Sequence, residues 1–199
     1  MKKALILDYK IGNVTSVGTF LRENGYRVIL SCETTEIRNA DLLILPGVGS
    51  FKTAIDNLRN KEIIQEINTR HLNKKATLGI CLGFQVLTKT SSEYPNSVGL
   101  SIFNGTTTRL KEYSRIGWGK LTLNQNIDLL NDLYFYFNHS FGSYDITNIN
   151  LNAYSGYSKY HALVVSERTV GVQFHPERSQ KSGNRFLNWL ESTVWGLHD

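Results

Sequence analysis

The chain has 199 residues, 41% of them hydrophobic and 20% charged, proportions that suit one globular α/β domain with a sizeable core. The formal net charge is +5, yet the basic residues are scattered singly or in pairs such as Lys2-Lys3 and Lys74-Lys75, which argues against a nucleic-acid partner. No run approaches the roughly 18 apolar residues of a membrane helix, and two cysteines, Cys32 and Cys81, make no disulfide framework.

Residues 3–8 read as an apolar first strand, broken by Asp8 too soon for a signal peptide. A turn over 9–13 leads to helical spacing at Val14, Val17, Phe20 and Leu21, closed by Asn24-Gly25. A strand follows over 26–30, then a short helix over 34–39, then a strand over 41–45. That last strand is apolar throughout, as buried parallel strands are. The β-α-β order with short links predicts a right-handed, doubly wound, mostly parallel sheet with helices on both faces. In such sheets the working groups gather at the carboxyl ends of strands. Pro46-Gly47-Val48-Gly49 lies just past one, where glycine-rich backbone can offer N–H groups to a developing negative charge. The P-loop pattern is absent there, and a plain turn remains the alternative. Residues 52–71 read as one amphipathic helix with Ala54, Ile55, Leu58, Ile63, Ile64 and Ile67 inward.

Residues 76–85 carry the main chemical signal. An apolar run enters Gly79-Ile80-Cys81-Leu82-Gly83, the G-x-nucleophile-x-G pattern of a strand turning sharply into a helix. Glycines are needed there because neighbouring backbone leaves no room for a side chain. The corner would project the Cys81 thiol beside the first N–H groups of a helix, which favour a thiolate. A buried cysteine in a glycine-punctuated turn is the alternative. Gln85 lies one helical turn on, with Phe84, Val86 and Leu87 inward. Glycines at 99, 105, 117 and 119 among β-prone runs suggest hairpins over 98–123, and 133–141 reads as a strand entering a turn. Near the C-terminus, 170–177 reads as a strand, which would set His175 and Glu177 on one face. A cysteine nucleophile needs a base, and the base needs an orienting group; this pair could supply both. A last helix starts near 182, with Phe186, Leu187 and Leu190 inward.

Gly-Ile-Cys-Leu-Gly-Phe-Gln at 79–85 with Gln-Phe-His-Pro-Glu at 173–177 resembles the class I, triad-type glutamine amidotransferases. Leu7–Asn13, Leu45–Phe51 and Phe137–Phe141 are similar to the glutaminase subunits of imidazole glycerol phosphate synthase, HisH. The resemblance spans nearly the whole chain. It implies a flavodoxin-like fold in one amidotransferase domain over residues 1–199, with extra antiparallel hairpins. It implies a catalytic set of Cys81, His175 and Glu177, and an oxyanion site of backbone at Val48, Gly49 and Leu82. L-Glutamine would be held at Gly47, Gln85, Glu93, Ser140 and Phe141, with His139 an orienting or structural residue. Ammonia would pass to a separate (βα)8-barrel cyclase in a heterodimer, sensed through Asn13, Arg178 and Ser179. No cofactor or metal is expected, and a nucleophile that must stay reduced points to the cytoplasm. Cys32 is expected as a small buried residue.

One segment departs from the family. Where the synthase subunit generally reads Pro-His-x-Gly-Trp-Asn, this chain has Ser-Arg-Ile-Gly-Trp-Gly at 114–119. Two alternatives therefore stay open: a relative that feeds ammonia to a sugar amidotransferase in surface-polysaccharide synthesis, and a non-catalytic scaffold of the same fold.

Overall fold

The first half of the chain alternates strand and helix as its hydrophobic pattern predicts. In the computed structural model, which describes residues 1–94, 97–111, 114–125, 127–155 and 159–197, β1 (Lys3–Leu7) leads to α1 (Val14–Glu23). β2 (Arg27–Ser31), α2 (Thr34–Asn39) and β3 (Leu42–Leu45) follow. Neighbouring residues of β1 point to opposite faces, so Ala4 and Ile6 join one core cluster and Leu5 and Leu7 the other. Val17, Phe20 and Leu21 of α1 cover the first cluster, and Ile37 of α2 packs in the second. Asn13 starts α1 by accepting from the Ser16 N–H at 3.2 Å.

The helix expected over 52–71 is two helices, α3 (Phe51–Asn57) and α4 (Lys61–Leu72). Asn60 breaks the run because its side chain caps a new helix, accepting from the Glu62 N–H at 2.9 Å. The Asn57 side chain donates instead to the Tyr9 carbonyl, tying the end of α3 to the loop after β1.

β4 (Thr77–Ile80), α5 (Leu82–Leu87), β5 (Thr88–Ser91), β6 (Ser97–Val98) and β7 (Phe103–Arg109) come next. β8 (Arg115–Lys120), β9 (Thr122–Leu123), β10 (Tyr134–His139) and β11 (Phe141–Thr147) follow, then β12 (Leu151–Ser155), β13 (Tyr160–Ser166) and β14 (Thr169–Val172). Among the described residues one sheet runs β2-β1-β3-β4-β14-β13-β11-β7-β5-β6, with β12 paired to β13 and β9 to β12. From β2 to β14 every neighbouring pair is parallel. The other half is antiparallel except for β5 with β7. β14 returns late in the chain to lie beside β4, with Val172 opposite Ile80. That crossover brings the C-terminal segment to the end of the elbow strand.

Residues 112 and 113 lie outside the described residues; among the described ones the strands within 98–123 do not form hairpins with one another. β7 pairs with β5 and β11, and β8 pairs with β10 as a separate ribbon; the local hairpin is β5–β6, just upstream. A cross-strand aromatic contact supports this pairing: Trp118 of β8 sits against Tyr136 of β10 with ring centroids 6.0 Å apart. α6 spans Gln180–Trp189 and continues as a π-helical turn over Leu190–Trp195. Cys32, expected to be buried, is exposed just past β2, a strand at the sheet edge. No helix among the described residues is long and apolar enough to cross a membrane.

Candidate active site

Cys81 occupies the corner between β4 and α5 with φ 54° and ψ −108°, a backbone shape that costs a non-glycine residue about 1–3 kcal/mol. The surroundings hold it there. Its N–H donates to Val172 O at 2.7 Å, which fastens the corner to β14. A Cβ on Gly83 would overlap the Leu45 carbonyl oxygen, and one on Gly79 would lie 2.7 Å from Gly83 O. The glycines flanking the cysteine are thus demanded by backbone packed against backbone.

His175 and Glu177 come together by a different geometry from the one expected. β14 ends at Val172, and Pro176–Arg178 is a 3₁₀ turn, so the pair does not share a strand face. Pro176 is the first residue of that turn, where its missing N–H costs nothing. The His175 Nδ1–H donates to Glu177 Oε1 at 2.8 Å, and both side chains are almost fully buried. The His175 N–H donates to Tyr136 O at 2.8 Å, and Phe174 stacks on Phe135 at 4.1 Å. These contacts fix the imidazole, leaving Nε2 with no hydrogen-bond partner among the described residues. Burial would push the His175 pKa down, but the Cys81 sulfur and the Glu177 carboxylate outweigh it and raise the value to about 10. The imidazole is thereby suited to carry a proton taken from the thiol.

The thiol opens on a cavity of about 280 Å³ lined by Val48, Gly49, Cys81, Leu82, Gln85, Glu93, Asn138, His139, Ser140 and Phe141. Val48 and Gly49 sit past β3, and Gly49 has φ +119° with open space around it. The Tyr9 hydroxyl donates to the Pro46 carbonyl and anchors this loop from behind. Gly47 is not on the cavity wall. A Cβ there would lie 2.6 Å from Gly83 N and from Leu82 Cβ, so it sets the loop against the elbow. Glu93 reaches the cavity while accepting from the Phe51 N–H at 2.8 Å, at the start of α3. The Phe141 carbonyl accepts from Gln85 Nε2 at 3.0 Å and from His139 Nδ1 at 2.7 Å. That second bond sets the His139 tautomer, and burial depresses its pKa to about 4, so the ring is neutral at pH 7.

Of the three residues expected to sense a partner, Asn13 and Arg178 are exposed. The Arg178 guanidinium lies 4.2 Å above the Tyr136 ring. Ser179 is buried: it donates to His175 O at 2.6 Å and accepts from the Tyr136 N–H at 3.0 Å, bracing the turn behind His175. Sequence reasoning passed over two groups near the sulfur, the Asn138 carbonyl at 3.9 Å and the Gln173 amide at 3.5 Å. The signal for Gln173 was a lone polar residue inside the apolar run 170–174.

Residues 5–190 match the family described as glutamine amidotransferase class-I. The imidazole glycerol phosphate synthase subunit HisH of Synechococcus sp. (strain CC9902) is 35% identical, over 97% of each chain. The chain belongs to the HisH family of class-I glutamine amidotransferases. Another HisH relative, from Lactococcus lactis subsp. lactis (strain IL1403), is 37% identical over 94% of this chain and 96% of its own. Solved structures share the fold. A glutamine amidotransferase crystal structure matches with TM-score 0.77 at 18% identity, covering 97% of this chain and 98% of its own. PurLQS from Thermotoga maritima matches with TM-score 0.71 at 20% identity, covering 96% and 98%. In this HisH-family chain the departure at 114–119 falls mainly on β8, and Ser114 Oγ lies 2.7 Å from Ser140 Oγ at the cavity rim.

Proposed function

We propose that this chain is the glutaminase subunit of an imidazole glycerol phosphate synthase, a single amidotransferase domain over residues 1–199. The observation that carries the reading is the Cys81 corner opening on a polar cavity with the His175–Glu177 pair behind it, in a chain 35% identical to HisH over 97% of its length. The Cys81 thiolate attacks the carboxamide carbon of L-glutamine. The negative charge moves to the carbonyl oxygen, which backbone N–H groups at Val48, Gly49 and Leu82 receive; such donors contribute about 2–4 kcal/mol to the transition state. His175 gives its proton to the departing ammonia and leaves a thioester on Cys81. It then takes a proton from water, whose oxygen attacks the thioester and releases glutamate. Glu177 holds the imidazole tautomer and stabilises its charged form. Gln85 and Glu93, and backbone at Ser140 and Phe141, grip the amino-acid end of the substrate.

Ammonia released at large would be wasted, so the subunit delivers it to a (βα)8-barrel cyclase that makes imidazole glycerol phosphate for histidine synthesis. The barrel docks over the face carrying Asn13 and Arg178. Ile116, Trp118 and Tyr134 of the β8–β10 ribbon are exposed, and Trp118 lies against Tyr136, the ring beneath Arg178, which supports an interface there. A reactive thiol suits the reducing cytoplasm. The test is glutamate release from glutamine with and without a cyclase-barrel subunit and its ribotide ligand, with Cys81→Ala as control. Strong stimulation that depends on Cys81 is expected. A thiol that alkylates but never responds to the barrel would redirect the ammonia to another synthase.

A further inference from the structure

Gln173 lies two residues before His175, fully buried. Its backbone N–H donates to Ala162 O at 2.9 Å. Its side chain spans two partners: Oε1 accepts from Gln85 Nε2 at 3.0 Å, and Nε2 faces Cys81 Sγ at 3.5 Å. The oxygen and nitrogen of an amide are easily exchanged, but here connectivity decides which is which. The Phe141 carbonyl can only accept, so the group of Gln85 that meets it at 3.0 Å is the NH2. The same NH2 reaches Gln173 at 3.0 Å, and the atom that receives it must be the oxygen. The remaining group of Gln173, the one toward the sulfur, is therefore the donor.

We infer that Gln173 is a dedicated hydrogen-bond donor to the Cys81 thiolate, held in that orientation by Gln85 and the Phe141 carbonyl. The inference rests on Cys81 being the glutaminase nucleophile. Among the described residues, two fixed groups of opposite character stand by the sulfur besides His175. The Asn138 carbonyl at 3.9 Å suits the protonated thiol, and the Gln173 NH2 suits the thiolate. As the proton leaves for His175, the Gln173 bond becomes charge-assisted and strengthens. As sulfur bonds to the carboxamide carbon, the charge moves to the substrate oxygen and the Gln173 bond relaxes. Gln173 thus favours the charged sulfur over the neutral one while slightly tempering its nucleophilicity.

That pairing makes a signature no packing defect would copy. Iodoacetamide alkylation of Cys81 is followed from pH 5 to 10 in the intact chain carrying Cys32→Ser, which removes the exposed second thiol. Gln173→Met, similar in length but without a donor, should alkylate roughly three- to tenfold more slowly along the rising limb of its profile, which is displaced by about one pH unit to the alkaline side. Its high-pH plateau should equal or exceed that of the wild type. An undisplaced profile, or an equal loss at every pH, overturns the inference. If Gln173→Met does not fold, side-chain amide NMR of the wild type decides. A glutamine NH2 pair should shift as the thiol ionises and stay still in Cys81→Ala; no such pair overturns the inference. A wild-type Cys81 that does not alkylate at all defeats the glutaminase reading instead, and this inference with it.

Discussion

His175 and Glu177 are joined Nδ1 to Oε1 at 2.8 Å across one 3₁₀ turn, and that turn is braced by Ser179 donating to the His175 carbonyl at 2.6 Å. The bracing matters because Glu177 Oε2 is buried without a partner among the described residues. Among the described residues the hydrogen bonding of that carboxylate is directed at the imidazole. Glu177→Gln keeps the shape but loses the charge that supports a protonated ring. Glutaminase turnover should fall on the order of 10³-fold with little change in glutamine KM. Steady-state kinetics of the partner-stimulated complex measure this, and a loss below tenfold would remove Glu177 from the mechanism.

The same pair makes stability depend on pH. Burial opposes the charged ring, but Cys81 and Glu177 raise the folded pKa from 6.5 to about 10, so between those values the folded state binds the extra proton. The stability gained is fully present below about pH 6.5 and is lost as pH rises through about 10. Melting temperatures taken from pH 6 to 10 should therefore fall more steeply for the wild type than for His175→Gln. Parallel curves would contradict the shift.

Gly83 and Gly49 should fail in opposite ways. A methyl group at Gly83 meets the Leu45 backbone oxygen, which cannot rotate aside, so Gly83→Ala should cost at least ~3 kcal/mol in urea unfolding. Gly49 has open space but φ +119°, so Gly49→Ala should cost only about 1–3 kcal/mol and leave a folded chain. Its damage should appear in turnover, because relieving the strain rotates the loop that faces the thiol. Comparing the urea midpoint and glutamate release of each variant separates the two effects.

Arg178 lies over Tyr136 on the outer side of the turn that carries Glu177. Arg178→Ala should leave Cys81 alkylation within about twofold, since exposed substitutions of this kind shift the fold little. Partner-stimulated glutamate release should drop tenfold or more if the barrel reaches the triad through this residue. Unchanged stimulation and binding would remove Arg178 from the interface.

Much of the site was legible in the chain because its chemistry is encoded locally. Gly79-x-Cys81-x-Gly83 announces a corner, since only glycine tolerates backbone so close. The apolar run that ends at Leu45 announces a parallel strand, since only a doubly covered sheet buries both faces of a strand. The two-residue spacing of His175 and Glu177 was also visible, but its cause was misread: a 3₁₀ turn brings the pair together, and Pro176 starts it. The split between α3 and α4 turned on one capping side chain, Asn60, competing with a continuous apolar stripe. What only the tertiary structure decided depends on partners distant in sequence. β14 had to pair with β4 before His175 could stand behind Cys81. β8 had to find β10 instead of its neighbours. The orientation of Gln173 required the Phe141 carbonyl, because an amide's direction is set by what surrounds it and not by the residue itself.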